Sequence, residues 1–239
     1  MTQKEEWLAG TRSAVPIMLG YVPVGIAYGV MARQAGLSTW QTVLMSLTVY
    51  GGASEMMAAG MVAQGAAVLT IVLTTFILNL RHIIMSTCVF NQMQGGRLPV
   101  RMLAAFGVTD ETFAVYTTTA NAPRTPRYFF SMALCSYLSW ALGSWLGAIA
   151  TGLLPPLITA ALGISLYAMF IGLLMPGLRG NGRLAALVVL TALCNTVLCN
   201  VVQLDSGWSM ILSTLGCAAL GPFFVTPNAA GEENSHAES

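Results

Sequence analysis

Runs of about twenty mostly apolar residues follow one another along nearly the whole chain, and nothing else in the sequence constrains its fold as much. They are centred in 13–33, 40–62, 66–89, 102–120, 128–150, 157–176, 184–203 and 208–226. About 20 apolar residues suffice to cross a hydrocarbon layer about 30 Å thick, and the connections between the runs are too short for another domain. Only 8% of the 239 residues are charged and mean hydropathy is +0.71, whereas a soluble domain carries roughly a quarter charged residues. In hydrocarbon every backbone N–H and C=O must be paired internally, which leaves a helix bundle or a closed barrel. Barrel strands alternate over about ten residues, and these runs are longer and uniformly apolar. The sequence therefore predicts an all-α integral membrane protein. It is expected to be a bundle of about eight transmembrane helices, some broken mid-membrane, forming one domain over residues 1–227. The tail 228–239, with NAAGEENSHAES and His236, offers nothing to pack and is expected to be disordered.

Charge excludes some functions. A formal net charge of +1 without a basic cluster leaves no electrostatic footprint for nucleic acid. The start MTQKEEW is mixed in sign, and Pro16 and Pro23 interrupt the apolar part behind it, so the first run reads as a retained span rather than a leader. With eight spans, Lys4, Arg12, Arg124, Arg127, Arg179 and Arg183 fall on one side against Arg33, Arg97 and Arg101 on the other, which favours both termini in the cytoplasm. Arg97 and Arg101 argue the other way. Cys88, Cys135, Cys194, Cys199 and Cys217 lie in apolar runs without CxxC spacing, so they read as packing residues, and neither metal nor cofactor is expected.

Helix breakers sit in the middle of two spans: Pro16, Gly20, Pro23, Gly25 and Gly29 in the first, Gly51 with Gly52 in the second. Unwound backbone at that depth is tolerated only where it is buried in protein or lines a cavity, and interrupted spans point to a transporter's binding site. Close helix packing is the other use of such residues, and it is the preferred reading for Gly143, Gly147 and Gly163. VLTTFILN, ending at Asn79, echoes VLTALCN, ending at Asn195. A structural repeat and chance similarity explain this equally well.

Ionisable side chains within spans cost several kcal/mol unless paired or hydrated, so they are functional candidates. They are Glu55 in YGGASE, Arg81 and His82 in NLRHII, and Asp110 with Glu111 in FGVTDETFAV. On a regular helix Thr75, Asn79, His82 and Ser86 share one face, with Thr74, Arg81, Met85 and Cys88 in a neighbouring stripe. A neutral amino acid needs a cation or a helix N-terminus for its carboxylate, acceptors for its ammonium and an apolar pocket. Arg81 can pair with a carboxylate, whether the substrate's or that of Asp110 or Glu111; backbone N–H groups after Gly51 and Gly52 could serve instead. Glu55, Asp110 and Glu111 can accept an ammonium or titrate, and His82 is a further proton carrier; Glu55, Arg81 and Asp110 are expected to converge on one wet pocket in mid-membrane, with the double glycine opening the helix beside Glu55. The opposing reading makes Arg81 and its carboxylate a static interhelical pair and His82 a satisfied hydrogen-bonding residue. Trp7, Trp40, Trp140, Trp145 and Trp208 read as interface anchors or packing.

At these residues the chain resembles the AzlC family, the large subunit of branched-chain amino acid exporters. The matching blocks are YGGASE at Tyr50 to Glu55, NLRH at Asn79 to His82 and FGVTDE at Phe106 to Glu111, together with PIMLGYVPVGIAYG in the first run. They extend from about 13 to 116; the rest matches mainly in hydropathy and length. The resemblance implies an inner-membrane permease exporting valine, leucine and isoleucine, with methionine as a further candidate. It also implies coupling to the proton motive force and a partner, a small hydrophobic AzlD-type subunit. Carried over by position, the motif residues are Tyr50, Ser54, Glu55, Asn79, Arg81, His82, Thr109, Asp110 and Glu111, beside Gly51 and Gly52. The family usually has Gln where this chain has Glu55, which puts an extra negative charge near the substrate or the coupling ion. Two other classes compete: a channel or structural membrane subunit, for which repeated filter rings are lacking, and a membrane-embedded enzyme, for which one intramembrane His and scattered Cys fall short of a metal site.

Overall fold

A computed structural model of the chain describes residues 2–96, 98–119, 122–153, 182–204 and 206–224, with isolated positions between 155 and 178. Among the described residues the regular structure is helical. The helices are α1 (Gln3–Gln34), α2 (Thr39–Thr48), α3 (Gly52–Ala63), α4 (Val68–Asn79), α5 (Arg81–Gln92), α6 (Leu98–Phe106), α7 (Asp110–Thr118), α8 (Pro126–Ala150), α9 (Gly182–Asn200) and α10 (Ser206–Phe224). Among the described residues four helical stretches are long and apolar enough to cross a membrane: Gln3–Gln34, Val68–Gln92, Pro126–Ala150 and Gly182–Asn200. Apart from those isolated positions the run 157–176, with Gly163, lies outside the described residues, as does the tail from 225 onward.

Two compact units divide the chain at Phe170 and Ile171. In the second, α9 packs on α10, and Ser213 Oγ donates to Asn195 Oδ1 at 3.5 Å. The first unit holds YGGASE, NLRH and FGVTDE. Apolar side chains cover its surface, and polar ones are buried beside an apolar core. Leu19, Val68, Phe76, Ile84 and Met102 stand outward, while Ser46, Glu55, Thr74, Thr109, Thr112, Ser136 and Ser144 are buried. Buried hydroxyls on α8 return their protons to their own helix, Ser136 to Met132 O and Ser144 to Trp140 O, so they stay satisfied without water.

The spine of this unit is the pairing of α1 with α8, the most extensive between any two helices. Small residues bring the two backbones together. A Cβ on Gly143 would stand 2.6 Å from Val22 O, and one on Gly25 would stand 3.0 Å from Trp140 O. Gly29 lies against Ser144 O and Gly147 against Ile26 O more closely still. Close backbone approach is how helices associate where lipid removes the hydrophobic drive, so Gly143 and Gly147 are packing positions.

The expected interruption of the first run is absent, because α1 continues through Pro16 and Pro23. Each proline deletes one backbone donor, and the long seam with α8 supports the helix across both. The chain is interrupted instead at three other places, each carrying one of the sequence motifs: Val49–Gly51 between α2 and α3, Leu80 between α4 and α5, and Gly107–Thr109 between α6 and α7.

Candidate functional site

Residues from all three interruptions gather round one small cleft. At the first, the helix breaks at Tyr50, which holds a left-handed φ of 46°. An aromatic residue there is strained by about 1–3 kcal/mol. The strain is offset by close packing, since the Tyr50 ring meets Tyr137 edge-on at 4.9 Å, Phe106 at 5.9 Å and Tyr21 at 6.5 Å. Leu47 O, left without a helical partner, accepts from Tyr137 Oη at 2.8 Å. Gly51 N–H donates to Glu55 Oε1 at 2.9 Å, and Gly51 O accepts from Ser54 Oγ at 2.8 Å and from Glu55 N–H. Asn79 packs against Gly51, where a Cβ would come within 3.2 Å of its Oδ1.

The first turn of α3 has no side-chain cap. Among the described residues the N–H groups of Gly52, Ala53 and Ser54 make no hydrogen bond, and Gly52 and Ala53 line the cleft. An uncapped helix start presents unpaired donors and the positive end of the helix dipole.

The second interruption is milder. Leu80 N–H donates to Ile77 O and Ile83 N–H to Leu80 O, each three residues back, so the helix tightens locally. Arg81 and His82 follow at once, and both line the cleft. At the third, Thr109 caps α7 in a reciprocal box with Thr112, placing Asp110 and Glu111 in the first turn, where the helix dipole favours negative charge. Arg81 Nη2 meets Asp110 Oδ2 at 2.9 Å. Glu111 turns inward to accept from Tyr21 Oη at 2.6 Å, and Tyr21 Oη also contacts Thr109 Oγ1 at 2.7 Å. Because Tyr21 spends its single proton on Glu111, Thr109 is the donor to Tyr21.

The cleft is graded. Arg81 and Asp110 are partly exposed at its mouth, while Tyr21, Tyr50, Thr109 and Trp140 are buried at its base. Trp140 meets Tyr21 edge-on at 5.4 Å and stacks on Tyr28 at 6.1 Å. It is therefore a wall of the site and not an interface anchor. The free volume is about 20 Å³, room for about one water and far too little for an amino acid, so the cleft is closed in this conformation.

Glu55 departs from the arrangement expected of it. It does not share a wet pocket with Arg81 and Asp110: it is fully buried, behind the cleft wall. Its Oε1 accepts from Gly51 N–H, its Oε2 lies 2.9 Å from Ser46 Oγ, and Trp140 Nε1–H is shared between the two oxygens at 3.3 Å from each. The double glycine does open the helix beside it, but the space is filled by Trp140, because a Cβ on Gly52 would already lie 2.8 Å from the indole. Ser54 and Asn79 likewise support the Gly51 turn without lining the cleft. Sequence reasoning passed over Tyr21 and Trp140 as site residues, and Ser46 and Ser144 altogether.

Apolar helices folded round a small, charged, closed cleft define an all-helical membrane protein built about an internal polar site. The AzlC protein family model matches residues 16–154, more than half of the chain, and the chain belongs to this family. An uncharacterized membrane protein of Archaeoglobus fulgidus is 35% identical over 173 residues, covering 72% of this chain and 75% of the relative. The inner membrane protein YgaZ of Escherichia coli is 29% identical over 194 residues, covering 77% and 78%. The branched-chain amino acid transport protein AzlC of Bacillus subtilis is 27% identical over 157 residues, covering 62% and 61%. No solved structure matches.

Proposed function

We propose that the protein is the large subunit of a secondary transporter that exports branched-chain and other neutral aliphatic amino acids across the inner membrane, driven by the proton motive force. The supporting observation is the pairing of opposite charges across one closed cleft: Arg81 and the unpaired N–H groups of Gly52 and Ala53 on one side, Asp110 and Glu111 on the other. A zwitterion needs both at a short separation, and Tyr21, Tyr50 and Trp140 supply an apolar wall for its side chain. In this reading α2 with α3, α4 with α5, and α6 with α7 each cross the bilayer together, and about eight helices span it. Residues 1–227 act as one transporter domain with both termini in the cytoplasm. Opening requires Arg81 to leave Asp110, and the substrate carboxylate takes Asp110's place on the guanidinium. A small hydrophobic subunit of the AzlD type completes the assembly.

The test is efflux of labelled valine from proteoliposomes containing the protein with the small hydrophobic chain encoded beside it. Saturable efflux, competed by leucine and isoleucine and lost in Arg81→Ala and Asp110→Asn at normal protein levels, is the expected result. Unchanged valine transport in both variants would overturn the role assignment. Flux that does not saturate would indicate a channel.

A further inference from the structure

Behind the cleft, Glu55 Oε2, Ser46 Oγ, Ser144 Oγ and Trp140 O form a chain of oxygens with successive separations of 2.9, 2.7 and 2.9 Å. Each gap is a hydrogen-bond length, so three gaps require three protons. Ser46 and Ser144 carry one each, and the carbonyl of Trp140 carries none. If Glu55 is ionised, one gap is left with two oxygens facing each other and no proton between them. If Glu55 is protonated, the chain closes in one direction: Glu55 Oε2–H donates to Ser46, Ser46 to Ser144, and Ser144 to Trp140 O. The remaining oxygen, Oε1, then acts as a plain carbonyl with two lone pairs. It accepts from Gly51 N–H at 2.9 Å and shares Trp140 Nε1–H with Oε2, the indole nitrogen standing 3.3 Å from each oxygen.

The surroundings agree with this count. Glu55 has no exposed surface, and a buried carboxylate requires a partner charge. The titratable groups facing it are phenols: Tyr28 from α1, Tyr50 from the break between α2 and α3, and Tyr137 from α8. α2 contributes Ser46, and its sequence TWQTVLMSLT has no charge. In α3 Glu55 is itself the ionisable residue. Arg81, Asp110 and Glu111 lie on the cleft, of which Gly51 and Trp140 form part of the wall.

The geometry points to a proton-binding site at Glu55, occupied in the closed conformation and separate from the cleft that takes the substrate. The bound proton sits on Oε2 in a hydrogen bond to Ser46 Oγ; its loss leaves a bare carboxylate with two N–H donors and one hydroxyl and no cation. Those two donors are the backbone of the Gly51 turn and the indole of the cleft wall, so relief of the buried, cation-free charge that ionisation creates proceeds by a rearrangement of these two parts that lets water or a cation reach Glu55. Proton release and opening of the cleft are thereby linked, and the linkage is reciprocal. This coupling rests on the transport reading above, whereas the proton site itself does not.

Infrared difference spectroscopy of the purified protein tests the site without any substrate. The expected result is a protonated-carboxyl C=O stretch that is absent from Glu55→Gln and shifts in Ser46→Ala, which removes the acceptor of the Glu55 proton. A wild-type minus Glu55→Gln spectrum containing only ionised-carboxylate bands over the whole accessible pH range overturns the proposal. Should Glu55→Gln fail to fold, an unshifted carboxyl band in Ser46→Ala overturns it equally. In proteoliposomes, wild-type valine efflux is expected to vary with pH and Glu55→Gln efflux to be flat; superimposable pH profiles overturn the coupling. A positive infrared result from protein that moves no amino acid leaves the proton site standing and removes the transport reading, and the converse result does the opposite.

Discussion

The guanidinium of Arg81 and the carboxylate of Asp110 stand 2.9 Å apart at the mouth of the cleft, with 40% and 28% of their side chains exposed. An ion pair this accessible is worth at most about 1 kcal/mol to the fold. It is thus a weak closure, which a substrate carboxylate can replace at little cost. Arg81→Lys keeps the charge but loses the planar fork that grips a carboxylate with two N–H groups. Charge-assisted hydrogen bonds contribute about 1.5–3 kcal/mol, so the expected effect is a rise in KM for valine of about tenfold to a hundredfold. Thermal unfolding in detergent should move little. A melting temperature that falls in step with transport would show instead that the pair is structural.

Tyr21 and Glu111 tie α1 to the start of α7 through a 2.6 Å hydrogen bond. Tyr21→Phe leaves Glu111 Oε2 without this donor and Thr109 Oγ1 without its acceptor, a loss of about 1–3 kcal/mol. The bond is isolated by a double-mutant cycle of Tyr21→Phe with Glu111→Leu, read by chemical denaturation. The second substitution is expected to be less costly once the first is present, with a coupling of about 0.5–3 kcal/mol. Strict additivity would show that the two side chains do not act as a unit.

Gly52 sets the depth to which Trp140 enters the site. A Cβ at residue 52 would lie 2.8 Å from Cη2 of the indole, and Trp140 is buried at 2% exposure and has nowhere to retreat. Gly52→Ala is expected to cost about 1–3 kcal/mol through overpacking and to lower valine transport with it, because the displaced ring is both cleft wall and donor to Glu55. A variant with wild-type melting temperature and transport would mean that the wall is soft.

Several parts of this arrangement were legible in the sequence. The double glycine marked a helix interruption, and the three motifs that carry the resemblance are those that converge. Arg81's partner was narrowed to Asp110 or Glu111, and it is Asp110. What misled was local. Pro16 and Pro23 looked like breakers, but a proline breaks a helix only when no neighbour supports it, and α8 does so over the length of α1. Glu55 looked hydrated because charges in apolar runs must be compensated, yet a neutral carboxyl needs no counter-charge, and its contacts with Ser46, Gly51 and Trp140 satisfy it in a dry site. Tyr21, Ser46 and Ser144 gave no signal: one phenol and two hydroxyls in apolar helices become meaningful only when residues 88 to 98 positions apart in the chain come within hydrogen-bonding distance.

The seam between α1 and α8 yields a prediction in which two identical substitutions on one helix have opposite signs. Replacing glycine by alanine in a helix removes backbone freedom from the unfolded chain and gains about 0.8–1 kcal/mol where the new methyl meets nothing. At Gly20 a Cβ would have no neighbour within 4 Å, so Gly20→Ala is expected to raise the melting temperature slightly or leave it unchanged. At Gly29 the same methyl would run into the carbonyl oxygen of Ser144 and the backbone of Ala148 and Gly147. Backbone atoms cannot swing aside as a side chain does, so the helices must separate, at a cost of about 1–3 kcal/mol. Separation there also draws Ser144 away from Ser46, which lies 2.7 Å from it. Gly29→Ala is therefore expected to lower the melting temperature in detergent and to alter the carboxyl band of Glu55 together with it. Equal and small effects at Gly20 and Gly29 would show that the two helices are not held in backbone contact.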